Sequence, residues 1–207
     1  MQATDDFAHH LHQSLTNKHV YGEWANTHDE EVMAVNYRAP DFVALEALKV
    51  CPVGTFLDLG CGTGLVGEAI RSTSLGTVVM DGCDASKEML KIASAKEIYR
   101  SLTCCDILDL PFPEGSYDLI TAAGVFASSK DRKIAGDPDH QAIPEIARLI
   151  KPNGYFVFTV SCRVLETDHQ DYKAMIANSL FKNIVCIEKP YHNLIPTAIY
   201  FVLQKES

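Results

Sequence analysis

Short apolar runs alternate along the chain with segments whose apolar residues recur at helical spacing, the pattern of βαβ units around a parallel sheet. The first forty-odd residues have helical tendency as far as Ala39-Pro40-Asp41, where Pro40 stands near the start of an amphipathic segment with Phe42, Val43, Leu45 and Leu48. Cys51-Pro52-Val53-Gly54 reads as a loop and Thr55 to Leu59 as a first strand. A helix with Leu65, Val66, Ala69 and Ile70 on one face follows a cluster of glycines. Thr77 to Met80 forms a second strand, and Ser86 caps a helix carrying Met89, Leu90, Ile92 and Ala93. Ser101 to Cys105 is a short third strand capable of burial, and Tyr117 to Ala122 a fourth, after a turn at Pro111-Phe112-Pro113-Glu114-Gly115.

A polar stretch from Ser128 to Gln141 lacks any apolar period and reads as a long loop, functional or mobile. Ile143 to Ile150 is helical, with Pro144 opening or kinking it and Lys151-Pro152-Asn153-Gly154 ending it. Tyr155 to Ser161 is a strongly β-forming fifth strand, and His169 to Leu180 another amphipathic helix. Ile184 to Ile187 and Ala198 to Leu203, with no room for a helix between them, make an antiparallel pair. The expected fold is α/β: a Rossmann-like, seven-stranded, mostly parallel sheet with helices on both faces and an antiparallel last strand. Residues 1–50 read as a helical cap or lid of the same domain, and 51–207 as the sheet domain.

A chain of 207 residues with 47% hydrophobic and 22% charged residues suits one packed domain. The net charge of −9 disfavours a phosphate-backbone partner, which needs clustered Lys and Arg. Met1 to Asn17 has no apolar signal core, and no run of 18 apolar residues occurs, so neither secretion nor a membrane span is expected. The seven cysteines (Cys51, Cys61, Cys83, Cys104, Cys105, Cys162 and Cys186) are odd in number and lack a C-x-x-C spacing, against a disulfide framework or a zinc site. Most read as small buried hydrophobes in a reducing compartment, the cytoplasm or the nucleus.

The strongest local feature is Phe56-Leu57-Asp58-Leu59-Gly60-Cys61-Gly62-Thr63-Gly64, running from an apolar strand into a helix. Glycines there let backbone approach a ligand, and the helix start offers unpaired N–H groups. Two registers overlap. Gly62-Thr63-Gly64-Leu65-Val66-Gly67 satisfies the dinucleotide pattern G-x-G-x-x-G, while Asp58-x-Gly60-x-Gly62-x-Gly64 puts an acid before three alternating glycines. A carboxylate at the strand tip opposes an anionic pyrophosphate and favours the sulfonium and ammonium of S-adenosylmethionine. Asp84, 20 residues beyond Gly64, suits a ribose, which both cofactors carry. Asp106 and Ile107, ending the third strand, suit an adenine, with Met89 either core or a contact on the ring.

These motifs resemble the class I S-adenosylmethionine-dependent methyltransferases. The blocks are Leu57 to Gly64, Gly82-Cys83-Asp84-Ala85-Ser86 with Met89-Leu90, Asp106 to Asp118, and Ile146 to Gly154, over about half the chain. Tyr21-Gly22-Glu23-Trp24-Ala25, Tyr37-Arg38-Ala39-Pro40 and Ala142-Ile143-Pro144-Glu145 are more narrowly similar to the Williams–Beuren critical-region methyltransferase-like proteins. The resemblance implies that Gly60, Gly62 and Gly64, with Cys61 between them, line the methionine moiety. It puts Asp84 with Ala85 at the ribose, and Met89, Asp106 and Ile107 around adenine. The Ala122 and Ala123 backbone then faces the amino-acid part, and Tyr21 and Arg38 hold the methionine carboxylate.

The chain departs from the family at Ala122-Ala123-Gly124-Val125-Phe126, which lacks the Asn-Pro-Pro-Tyr of amide and nucleobase methylation, and at Asn153 in place of a glycine. The reading is a methyltransferase with a small-molecule acceptor and S-adenosylmethionine as cofactor. The alternatives are a cofactor-binding protein without catalysis and an NAD-dependent oxidoreductase. No metal or catalytic base is assigned, although His28 and His140 lie where they could border the acceptor.

Overall fold

The computed structural model describes residues 2–14, 20–126, 138–161 and 180–207. The expected loop over 128–137, the helix over 169–179 and Cys162 lie outside them, as does the side chain of His140.

Helices α1 (Gln2–Ser14), α2 (Val20–Trp24) and α3 (His28–Ala34) precede α4 (Ala39–Val50), which carries its proline in the first turn, where no N–H is missed. The sheet comprises β1 (Gly54–Leu59), β2 (Val78–Asp84), β3 (Ser101–Cys104), β4 (Tyr117–Phe126), β5 (Ile150–Ser161), β6 (Phe181–His192) and β7 (Ile195–Lys205). Helices α5 (Leu65–Thr73), α6 (Lys87–Ala95) and α7 (Pro138–Leu149) fall between strands. The order is β3-β2-β1-β4-β5-β7-β6, with β7 antiparallel to both neighbours and the other pairings parallel. Chain direction across the sheet reverses between β1 and β4, so a crevice opens at their carboxyl ends, where ligands of open α/β sheets bind.

Alternation along each strand divides the core. Leu57, Leu59, Ile120, Phe156 and Phe158 face one side, with Ile146 of α7. Phe56, Leu119, Val157 and Tyr200 face the other, under α4 and α5. A third cluster joins Phe7, Trp24, Val32 and Val35 of the amino-terminal helices to Met89 of α6.

Several boundaries differ from the sequence reading. Strand β2 runs on through Asp81-Gly82, which looked like a break; Asp81 is buried but accepts from Arg100, Ser101 and Tyr117, so a carboxylate is tolerated in mid-strand. Strand β3 lies at a sheet edge with no residue buried. The last two strands extend far beyond the expected cores and leave only Asn193 and Leu194 between them, because exposed β6 tolerates Glu188 and Lys189 in mid-strand. Helix α7 begins five residues before Ile143, so Pro144 lies inside it. Only Cys61 and Cys83 of the six described cysteines are buried. Asn153 takes the left-handed conformation, φ 63°, that asparagine accommodates.

Candidate functional site

The parallel registers set Leu59 beside Cys83, Asp84 beside Cys104 and Asp58 beside Thr121, so the segments after β1, β2 and β3 and the end of β4 share one edge. Between β1 and α5 the chain turns tightly: Cys61 N–H donates to the Cys83 carbonyl at 2.9 Å, and Gly64 N–H to the Cys61 carbonyl at 2.8 Å. Gly60 and Gly62 adopt φ of 64° and 53°. A Cβ at Gly60 would clash with Cγ2 of Val125, whereas a Cβ at Gly62 would meet no atom of the described residues beyond its chain neighbours within 4 Å. The space over Gly62 is therefore open to a ligand, and Gly60 is packed by the protein itself.

Asp84 borders that space. Its Oδ2 accepts from Gly62 N–H at 2.9 Å and its Oδ1 from Ser86 N–H at 2.8 Å, with Ala85 N–H also near, so the carboxylate keeps capacity for a further donor. Burial raises its pKa, against the pull of these donors and of His28. Ser86 caps α6 as expected, accepting from Met89 N–H.

Asp58 does not point into the crevice. Alternation along β1 sends it to the side of Phe56, where it accepts from the Tyr99 hydroxyl at 2.7 Å and Thr121 at 3.1 Å. It lies under the first turn of α5, beside Gly67. Gly67, the third glycine of the dinucleotide register, serves this arrangement: a Cβ there would lie 2.5 Å from the Tyr99 hydroxyl.

The amino-terminal helices dock on the glycine turn. Thr63 Oγ donates to Asp29, and Lys96 bridges Asp29 at 2.8 Å and Glu68 at 2.7 Å. Burial works to raise the Asp29 carboxyl, yet His28, Lys96 and Thr63 hold it well below the usual carboxylate range. His28 lies 3.4 Å from Thr63 Oγ and edge-on to Trp24, centroids 4.9 Å apart.

Of the remaining expected residues, Tyr21 stacks on Trp24 at 5.9 Å. Met89 is 1% exposed and packs under the amino-terminal helices, as core. Ile107 is half-buried; exposed Asp106 accepts from Leu108 N–H at 3.1 Å, and Ala85 is exposed. Ala122 is buried and Ala123 half-buried where β4 bulges. Arg38 is turned elsewhere, because it starts α4: it pairs with Asp41 at 2.9 Å and lies over Phe42. Sequence reasoning missed Asp29, Thr63 and Tyr99, whose partners are distant in the chain and leave no local pattern.

Two buried groups give stability opposite pH dependences. Burial lifts the Asp58 carboxyl from 3.8 to about 6 and lowers the His192 imidazole from 6.5 to about 4, where Nδ1 accepts from Leu194 and Ile195 N–H. The Asp58 contribution is complete in acid and lost as pH rises through about 6. The His192 contribution is complete above about 6.5 and lost as pH falls toward 4. Asp58→Asn removes the first alone. The stability gap between wild type and variant should move about 2 kcal/mol toward wild type from pH 7.5 to 4.5. Urea unfolding at each pH measures it; a constant gap would refute the assignment.

Residues 57–158 match the family model described as "Methyltransferase domain". Methyltransferase-like protein 27 of Homo sapiens is 32% identical over 159 residues, 73% of this chain and 60% of that protein, in accord with the narrower resemblance. The ubiquinone/menaquinone biosynthesis C-methyltransferase UbiE of Geotalea daltonii is 30% identical, over 55% of this chain and 48% of its own length. The probable tRNA methyltransferase 9B of Mus musculus is also 30% identical, over 70% and 30%. The chain thus spans less than two-thirds of each of these relatives. The putative methyltransferase in complex with the Haloferax volcanii Trm112 activator superposes with a TM-score of 0.68 at 21% identity, over 90% of this chain and 98% of that one. No described helix is long and apolar enough to cross a membrane. With the glycine turn and the seven-stranded order both in place, the chain belongs to the class I S-adenosylmethionine-dependent methyltransferases, a family whose methyl donor is S-adenosylmethionine.

Proposed function

We propose that the chain binds S-adenosylmethionine over the glycine turn and transfers its methyl group to a small-molecule acceptor. The observation that carries this reading is the open space at Gly62 beside the Asp84 carboxylate. The bound cofactor supplies a methyl group on an already activated sulfonium. Gly62 admits the ligand against bare backbone, Asp84 accepts from the ribose hydroxyls, and Ile107 with Asp106 borders the adenine. The Asp58 charge, behind the turn, favours a cationic ligand over a pyrophosphate without touching it. Helices α1 to α3, latched through Asp29 and Thr63, act as a lid that excludes water.

Likeness to UbiE and the net charge of −9 support a small acceptor over RNA. Likeness to tRNA methyltransferase 9B favours RNA as the second reading. Because Gly67 is accounted for by Tyr99, the dinucleotide pattern lends little support to NAD.

A thermal-shift comparison tests the ligand. S-adenosylhomocysteine at about 100 times its Kd should add about 2.7 kcal/mol of stability, and NADH nothing. Stabilisation by NADH alone would overturn the reading. Radiolabelled S-adenosylmethionine should then label a small-molecule extract fraction. Label in RNA would replace the acceptor class, and no label at all would favour a binding protein without turnover.

A further inference from the structure

The last hairpin curls back over the carboxyl edge of the sheet. Arg38 N–H donates to the Tyr191 carbonyl at 2.7 Å and Asn193 N–H to the Val35 carbonyl at 2.8 Å, which clips residues 35–38 to the end of β6. The clip sets Tyr37 and Tyr191 edge to face, centroids 5.2 Å apart at 82°, with their hydroxyls close together. Both hydroxyls overhang the bulge that ends β4. A Cβ on Gly124, φ 71°, would stand 2.6 Å from the Tyr37 hydroxyl and 3.6 Å from that of Tyr191. Tyr21 lies nearby. Burial pushes Tyr191 up to about 12 and Tyr37 higher, so both remain protonated donors at neutral pH.

Two hydroxyls carry two protons and can share at most one bond between them, so at least one proton is left over whichever oxygen donates. Among the described residues no further acceptor is paired with either hydroxyl. An unpaired buried donor is costly, and an oxygen that accepted from it would remove that cost. The cations nearby are committed: Arg38 to Asp41, and Lys96 to Asp29 and Glu68.

We propose that Tyr191, aligned by Tyr37, holds the carboxylate at the amino-acid end of the cofactor, the task the sequence offered to Arg38. The proposal rests on the reading that S-adenosylmethionine binds the glycine turn, and it adds the residue that fixes the ligand's far end. With the ribose on Asp84, the amino-acid tail extends toward the β4 end, where the spare proton lies. A phenol proton on a carboxylate is a short, charge-assisted hydrogen bond that needs no cation.

Calorimetry with S-adenosylhomocysteine and with 5′-methylthioadenosine, which lacks the amino-acid end, tests it on the whole chain. Tyr191→Phe should weaken S-adenosylhomocysteine about tenfold and leave methylthioadenosine within about twofold of wild type. Tyr37→Phe should weaken only the former, by about threefold, through lost alignment. If Tyr191→Phe does not fold, the Tyr37→Phe selectivity decides. Equal losses for both ligands would mean a structural role, and no loss for either would mean no contact; each overturns the proposal while leaving the cofactor reading intact. Wild-type protein that binds neither nucleoside overturns both.

Discussion

Replacing Asp84 by alanine should abolish the binding heat of S-adenosylhomocysteine and also destabilise the fold. The two effects share a cause. The carboxylate receives Gly62 N–H at 2.9 Å and Ser86 N–H at 2.8 Å, so it ties the glycine turn to the start of α6 while bordering the open space over Gly62, where the proposed reading puts the ribose. Alanine leaves both donors without an acceptor in a largely enclosed place, at a cost of about 2–3 kcal/mol for the pair. Asp84→Asn separates the roles. Its amide oxygen can still take one N–H, so stability should fall by only about 1 kcal/mol. The ribose, however, loses an anionic acceptor, and affinity should drop by more than about tenfold. Urea unfolding reads the first quantity and calorimetry the second. If the alanine variant binds as wild type does, Asp84 is only a clamp for the turn and the ribose site lies elsewhere.

The features read correctly from the sequence are those whose cause is local. Ser86 caps α6 three residues ahead of the N–H it accepts from, and Asn153 takes its left-handed turn from its own side chain. The glycine turn was legible for the same reason: strand, bend and helix start lie within ten consecutive residues. Where partners come from afar, the reading failed. Asp58 was placed at the ligand because its neighbours in sequence are the glycines. Its partners are Tyr99, 41 residues on, and Thr121, 63 residues on, and they turn it under α5. Asp81 looked like the end of a strand because its satisfaction by Arg100 and Tyr117 cannot be seen along the chain. Arg38 was chosen by motif, but its place at the start of α4 gives it Asp41 and Phe42 as neighbours. The Tyr37–Tyr191 pair exists only because the last hairpin returns across the sheet, which no periodicity encodes.

The glycines of the turn should separate into two kinds when each is changed to alanine. Both Gly60 and Gly62 have left-handed backbone, so either substitution carries a conformational cost of about 1–2 kcal/mol. At Gly60 the new methyl also clashes with Val125, whose side chain is held where β4 bulges. Overpacking adds about 1–3 kcal/mol, so Gly60→Ala should lose about 2–5 kcal/mol in all, with binding lost as the turn shifts. At Gly62 the methyl enters space with no atom of the other described residues within 4 Å, so the fold should lose only the conformational share. In the proposed reading that space holds the ligand, so the same methyl should weaken S-adenosylhomocysteine by about a hundredfold. A large affinity loss beside a small stability loss is the mark of a glycine kept bare for a ligand. If Gly62→Ala instead binds normally, the nucleoside does not lie against this backbone, and the site must be sought elsewhere along the sheet's edge.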